Sequence, residues 1–531
     1  MSSLKEPYGS HRDSLHAAGS VFFVSSAGRV LKLPIPSTSH RDPLTWRPSK
    51  RTLAFIALLF YSVVASVEAN LPGLLMLAIK DEFGDRNIQP LASAMTLFTG
   101  LGYLFSIPLS TAIGRRPVLL CAATITSIST FWAGLVGGFD ELIVALCFQA
   151  LAVGTSVGMC TLIIIDATFI HERPNALSLF WCVGSTFIKL GTLILPFMAD
   201  ICTNWRSIYH VWSAPCLVAL ALAIFLVPET YFERPPVALD GRVLVQSSSE
   251  KVRVYDDWED VESYGSERPL PDVPLKRNFW SRFGISRAPG TNFKAMGATY
   301  MQMVLCILNP LTFWVALLTG VILSGVIFLN ITQPAALAGP VPSEDSRSHG
   351  VFIGVAGIIG SILAFPASGP LASWFTRYYA LRSGGMRHAE IYLPAFAMPV
   401  VSGLVSVILN GVAINNDWES VWLYVASGIS IFSYLTGNVA FTLWITEAFP
   451  RWAAAALAVQ LFTGHMVSFG IGSAIMGWCH NKQIMAPTML IGGLILFLGA
   501  LAVPVAFWGK TVRQYIDGRW SESEKGALRP Q

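Results

Sequence analysis

Four ionisable side chains interrupt otherwise apolar runs. Glu68 sits in VVASVEANLPGLL and Lys189 in GSTFIKLGTL, while Asp166 and Glu447 lie near the ends of two further runs. An ionisable group inside a bilayer helix costs roughly 2.5–3.5 kcal/mol on insertion scales, which makes each a candidate for function. Glu68 and Lys189 fall at similar depth, about 23 Å and about 20 Å from the starts of their runs at the α-helical rise. A buried Glu68–Lys189 ion pair would offset much of the desolvation of both groups. Protonating Glu68 would then release Lys189, the chemistry of a protonatable coupling pair. The alternative is that water reaches Glu68 near an outer mouth and Lys189 snorkels to the interface.

Other polar residues in apolar runs are Asn330, Gln333, Asn438, Thr442, Gln460 and His465. Asn330, Asn438 and His465 join Glu68 and Lys189 as candidates for substrate binding or coupling. His465 could titrate near neutrality or serve as a structural hydrogen-bonding group. Arg115, Arg116, Asp166, His171, Glu172 and Arg173 fall in turns that would share one face of the membrane. Arg115, Arg116, Asp166, Arg173 and Glu447 are therefore candidates for a charge latch at an inner gate, with plain positive-inside anchoring as the other reading. Trp132, Trp181, Trp314, Trp422 and Trp444 suit interfacial belts or substrate stacking. Gly350, Gly354, Gly357 and Gly360 would let one helix approach a neighbour closely. Several chemistries are excluded. No GxxxxGK[ST] phosphate loop occurs, HERPN lacks the second His of HExxH, and none of the eight cysteines forms CxxC. Cys121, Cys147, Cys160, Cys182, Cys216 and Cys306 lie in apolar runs, where cysteine behaves as a small hydrophobe. No enzyme activity, cofactor or metal is expected. An ion pore would want repeated polar rings, which the chain lacks.

Such residues need membrane helices to hold them, and the composition demands the same. Of 531 residues, 53% are hydrophobic and 13% charged, and mean hydropathy is +0.55. A chain with so few charges cannot cover its surface in water, so lipid is part of its solvent. A net charge of +4 is too small to imply a nucleic-acid partner. A bilayer core needs about 20 apolar helical residues per span. Twelve runs meet that need, at 53–79, 88–110, 117–137, 142–165, 176–198, 207–227, 310–332, 350–372, 392–414, 421–445, 453–478 and 487–508. With both termini inside, the outer loops hold only Lys80, Arg86, Arg206, Arg347 and Lys482 of the 36 Lys and Arg, and Lys189 lies within a span. The remainder fall inside, which sets the orientation. The first fifty residues are polar, contain no leader pattern, and hold an apolar patch at Val21–Val24 too short to insert.

The expected class is an all-α integral membrane protein of twelve transmembrane helices in two six-helix bundles. Its parts are a cytosolic tail over 1–51, a first bundle over 52–228, a cytosolic linker over 229–300, a second bundle over 301–508 and a cytosolic tail over 509–531. The linker contains the acidic cluster Asp256, Asp257, Glu259 and Asp260, read as a solvated stretch, and its polar composition predicts no packed core. A 6+6 layout suggests an internal duplication. PLSTAIGRRP after the second span and GPLASWFTRYYALRSGG after the eighth echo one another weakly.

DPLTW at Asp42–Trp46, GRRP at Gly114–Pro117, HERP at His171–Pro174, WR at Trp205–Arg206 and VPETYFERP at Val227–Pro235 stand in order along the chain. Together they resemble fungal members of the major facilitator superfamily, in the drug:proton antiporter-like branch. The resemblance implies the major facilitator fold: an alternating-access carrier with a central cavity lined chiefly by the first and fourth helices of each half. It places spans one and five side by side, and makes Asn438 the foremost cavity candidate among the uncharged groups. It also sets the eighth span across the two halves. The chain departs from the family pattern at Thr111, where an Asp is usual, at Ala112 and Leu146, where Arg is usual, at Ala150, at Ser373 and in the GTLILPFMAD segment that keeps Gly191 and Pro196. The function expected is secondary active efflux of a small organic molecule such as a secondary metabolite or drug, coupled to protons, by a monomer in the cell membrane. Uptake of a polyamine or nutrient is the alternative; a membrane enzyme or channel is more remote. The partners expected are a small-molecule substrate, the lipid bilayer and protons.

Overall fold

The computed structural model describes residues 20–22, 42–84, 89–201, 204–232, 237–239, 242–246, 252–255, 291–337, 344–382, 386–480 and 484–521. The acidic cluster at 256–260, most of the first tail and residues 522–531 lie outside them. Eleven helices are long and apolar enough to cross a bilayer, and the pair Met485–Ala500 and Ala502–Arg513, bent by 42°, makes a twelfth when taken as one broken span. The first six are α1 (Pro48–Leu74), α2 (Gln89–Ile113), α3 (Arg115–Leu135), α4 (Phe139–Ala167), α5 (Gly184–Ile201) and α6 (Trp205–Leu226). The second six are α7 (Pro310–Leu337), α8 (Glu344–Ser368), α9 (Ala397–Asn415), α10 (Ser420–Ala448), α11 (Ala453–His480) and α12 (Met485–Ala500). Local chemistry sets several ends. Asp42 caps the turn Pro43–Thr45 by accepting from Leu44 N at 3.0 Å, which accounts for DPLTW. Asp140 and Glu141 favour the first turn of α4. Asn204 caps α6 through Arg206 N.

Each half packs by the same plan. α4 lies against α1, α2 and α3, and α10 lies against α7, α8 and α9. The second and fourth helices of each half touch through glycine: a Cβ at Gly154 would overlap the Thr99 carbonyl of α2, and a Cβ at Gly360 would overlap the Gly428 carbonyl of α10. Such backbone contact replaces the hydrophobic drive that lipid cannot supply. The halves meet along two seams, α2 on α11 and α5 on α8. Of the four glycines singled out in α8, Gly360 faces its own half. Gly354 and Gly357 face Leu193 and Lys189 of α5, and Gly350 touches nothing.

One end of the molecule is sealed. α4 from Ala152 to Asp166 and α10 from Leu435 to Thr446 are buried on every side. Toward the other end, Val144 and Phe148 on α4 and Val421, Trp422 and Val425 on α10 are exposed. Hydroxyl contacts join the halves at the α5–α8 seam on the sealed side, Ser178 to Ser368 at 2.8 Å and Ser185 to Ser361 at 2.9 Å, and Thr111 of α2 meets Thr299 at 3.2 Å. Thr299 belongs to Phe293–Leu308, an apolar helix too short to span and absent from the sequence expectation. Its exposed Phe293, Met301, Val304 and Leu308 suit a helix lying in the membrane interface.

The linker also departs from expectation. Three short strands, Val237–Leu239, Arg242–Gln246 and Val252–Tyr255, pair antiparallel in sequence order. Alternating valines at 243, 245, 252 and 254 give them the period of two that strands require. A further strand, Ser20–Phe22, pairs antiparallel with Met386–His388 between α8 and α9, so part of the apolar patch near Val21 serves strand pairing.

Candidate functional site

A buried charge cluster forms around Arg115, which is 1% exposed. Its Nε donates to Asp166 Oδ2 at 3.1 Å and its Nη1 to Ser110 Oγ at 2.6 Å, tying α3 to the end of α4 and to α2. Gly114 makes the entry to α3 possible, because its φ of 110° is closed to other residues. Glu229, beyond α6, supplies what the sequence reading missed. Its carboxylate accepts from the backbone N–H of Arg115 at 3.0 Å and of Arg116 at 3.1 Å, capping α3. It also accepts from Thr230 N and Tyr231 N. Burial pushes the Glu229 carboxyl above the usual range, against the pull of the N–H groups of Tyr231, Arg115 and Arg116. Arg116 Nη2 donates to Ile224 O at 2.9 Å. Glu229 was within the quoted VPETYFERP; what marked it was an acid just past a span, at the end where the GRR turn begins a helix.

Arg173 is buried at the same end, and Arg51 bridges Glu172 at 3.5 Å. Glu447 does not join this cluster. It lies in the second half, where Tyr392 Oη donates to its Oε1 at 3.0 Å. Beside it, Arg513 pairs with Glu390 at 2.9 Å. Neither Arg513 nor Glu390 was picked out from sequence.

The expected Glu68–Lys189 pair does not form. Glu68 is fully buried inside the first half, hydrogen-bonded to Thr130 of α3, with Cys216 Sγ of α6 at 3.9 Å. The depth matches but the direction around the helix does not. Val67 takes the α5-facing position, against Gly191. Glu68 is one residue on, about 100° round the axis, and turns toward α3 and α6. Lys189 faces the other half instead, its stem lying along Gly357 of α8. No hydrogen bond or ion pair holds its ammonium among the described residues.

A belt of rings crosses the middle of the molecule. Trp181 on the π-turn Leu179–Val183, just before α5, meets Tyr434 of α10 edge-on at 6.3 Å. Tyr103 on α2 lies 5.1 Å from the His465 ring on α11. His465 Nδ1 is 2.9 Å from Leu461 O. A carbonyl only accepts, so Nδ1 carries the hydrogen and Nε2 is the nitrogen open to a proton or ligand. Asn438 is buried and donates to Tyr434 O within its own helix. Asn330 is exposed on α7. Gln333 donates to Asn410 Oδ1 at 3.1 Å and to Leu423 O at 2.8 Å, and Asn410 to Thr332 at 3.0 Å, a network that locks α7, α9 and α10. Gln460 reaches Thr319 at 3.4 Å. Thr442 is fully buried. Among the described residues, no group of three His, Cys, Asp or Glu is placed to hold a metal ion.

Comparison with known proteins fits this geometry. An uncharacterised MFS-type transporter of Schizosaccharomyces pombe is 20% identical over 95% of this chain and 92% of its own length. Protein HOL1 of Saccharomyces cerevisiae is 21% identical over 93% of this chain and 92% of its own. Among solved structures, the proton:xylose symporter XylE bound to 6-bromo-6-deoxy-D-glucose superposes with a TM-score of 0.57 at 13% identity, covering 90% of this chain and all of XylE. The family description Major Facilitator Superfamily matches residues 53–469. With the two bundles, the two seams and a match over most of its length, the chain belongs to the Major Facilitator Superfamily, and it is a membrane transporter of small molecules rather than an enzyme.

Proposed function

We propose that this transporter works by alternating access as an exporter of a small amphipathic organic molecule, coupled to protons in the manner of the drug:proton antiporters. In this reading it is a monomer of the cell membrane. Its two bundles are joined by a cytosolic linker, and both termini and the sealed end face the cytosol. The observation that carries the reading is the pairing of a sealed end with a ring-lined middle. The sealing contacts are hydroxyl pairs and single glycines across the seams, which break at small cost when the bundles rock. The belt Trp181, Tyr434, Tyr103 offers ring faces to an apolar body.

The burial of a lone acid supports coupling at Glu68. Its carboxyl accepts from Thr130 Oγ1 and from Cys216 Sγ. Among the described residues no cation stands beside it, so proton uptake would relieve the cost of a charge at this depth.

The test is proteoliposomes carrying a pH-sensitive dye inside, with an imposed proton gradient, challenged with a panel of amphipathic aromatic compounds. Compound-dependent proton movement, outward-directed transport relative to the sealed end, and loss of both in Glu68→Gln are expected. Gradient-driven flux in Glu68→Gln equal to wild type would remove Glu68 from coupling. Inward transport would reverse the direction assigned.

A further inference from the structure

The α5–α8 seam holds two hydrogen-bond donors with nothing to bind. Lys189 carries a charge at mid-membrane depth, and no described residue pairs with it. The exposed residues of α5, Phe187, Leu190 and Ile194, mark its lipid side. Lys189 is on a different face, the one shared with Ser185 and Leu193, which meet Ser361 and Gly354 of α8. Two turns earlier, about 12 Å along the axis, the Trp181 indole N–H is buried without a partner. A π-turn at Leu179–Val183 presents that indole, and such turns recur at functional sites. The acid nearest in depth, Glu68, is turned into the first bundle and bonded to Thr130. Among the described residues the seam therefore offers donors and rings and no carboxylate.

We propose that this seam binds the anionic head of an amphipathic organic acid, with Lys189 forming the ion pair and the Trp181 and Tyr434 rings, two turns away, packing on the apolar body. This rests on the reading of the chain as a small-molecule exporter and names its substrate class. A membrane cation without a protein partner is a functional group whose counter-ion arrives with the ligand. A polyamine or other organic cation would meet Lys189 as a like charge. An anion relieves the desolvation of the ammonium. The anion could in principle be the head of a soluble acid or of a lipid entering between α5 and α8. We assign the soluble acid, because the alkyl stem of Lys189 is laid along Gly357 in the interface between the halves and the Trp181 ring that would hold an apolar body meets Tyr434 of the other half.

The experiment uses the full chain, purified in neutral detergent and in phosphatidylcholine vesicles, with three matched probes: 4-phenylbutyrate, 4-phenylbutanamide and 4-phenylbutylamine. Binding is read by tryptophan fluorescence and melting temperature. Wild type is expected to bind the carboxylate at least about tenfold more tightly than the amide, the amine most weakly. Lys189→Met should erase that preference and Lys189→Arg should keep most of it. Unliganded Lys189→Met should melt no lower than wild type, since no acid loses its partner. Equal binding of carboxylate and amide, or a carboxylate preference that survives Lys189→Met, overturns the assignment. So does unfolding of Lys189→Met, which would show a structural partner for the ammonium. Stabilisation by added phosphatidylglycerol that depends on Lys189, with no effect of the carboxylate, overturns it in favour of a lipid headgroup. Binding of the amine alone overturns it while leaving small-molecule export standing. Carboxylate binding without translocation in the vesicles supports the site and overturns the export reading.

Discussion

The two halves carry charge at the same corners, with the sign reversed near the start of the third helix and after the sixth, and an acid at the end of the fourth in both. In the first, a base opens the third helix, an acid ends the fourth and an acid follows the sixth: Arg115 with Asp166, and Glu229 on the N-terminus of α3. In the second, an acid stands just before the third helix and a base follows the sixth: Glu390 with Arg513, beside Glu447 and Tyr392. The geometry of a duplicated bundle survives while the polarity is inverted. What the corner requires is a buried pair that ties the end of the last helix to the start of the third. Which partner is the acid is free, provided both change together.

The largest effect should come from breaking one pair. Asp166→Ala leaves Arg115 buried and uncompensated, at a cost of about 3–5 kcal/mol. Arg513→Ala should cost a comparable amount by stranding Glu390, and the loss is read as a fall in melting temperature of purified protein. The double swap Glu390→Arg/Arg513→Glu gives the second half the polarity of the first and should recover most of that loss. No recovery would mean that the sign at this corner is fixed by groups beyond the pair.

A smaller effect tests the shared glycine contacts. Gly154→Ala and Gly360→Ala each push a methyl into a facing carbonyl, and overpacking of this kind costs about 1–3 kcal/mol. The two should destabilise alike. A neutral outcome at one site alone would show that the second and fourth helices of that half are free to separate.

The smallest effect is a pH bias present in the first half. In the sealed state the Glu229 carboxyl lies above its usual range because of burial. A proton therefore binds the sealed state more tightly than an opened, hydrated one. Acidification favours sealing, and the bias is lost as pH rises through the raised value. Spin labels flanking Ser178 and Ser368 should report more of the short distance at lower pH, and Glu229→Gln should flatten the dependence. A dependence that persists in Glu229→Gln belongs to another group.

Much of this was legible in the residues. Apolar run length gave the spans, since a bilayer of fixed thickness demands a fixed helix length, and the twelve runs match the eleven long helices and the bent pair. GRRP and VPETYFERP marked the buried charge cluster, and Gly354 and Gly357 marked a close approach that does cross to the other half. Asn438 and Gln333 were visible as polar groups in apolar runs, yet both are tied within the second half. The short helix Phe293–Leu308 was missed because its run is below spanning length, although its exposed apolar face is the signature of an interfacial helix.

The sequence by itself determined depth along each helix: it put Glu68 and Lys189 in the middle of the membrane and the arginines at one face, because rise per residue is constant and hydropathy is read against a slab. Direction around each axis was decided only by the tertiary structure. Val67 rather than Glu68 faces α5, and Lys189 rather than Leu190 faces α8, because small residues at Gly191 and Gly357 fix which sides of the helices come together. A rotation of one residue, about 100°, separates an ion pair from a buried acid in one bundle and a cation at the seam between two that no described residue pairs.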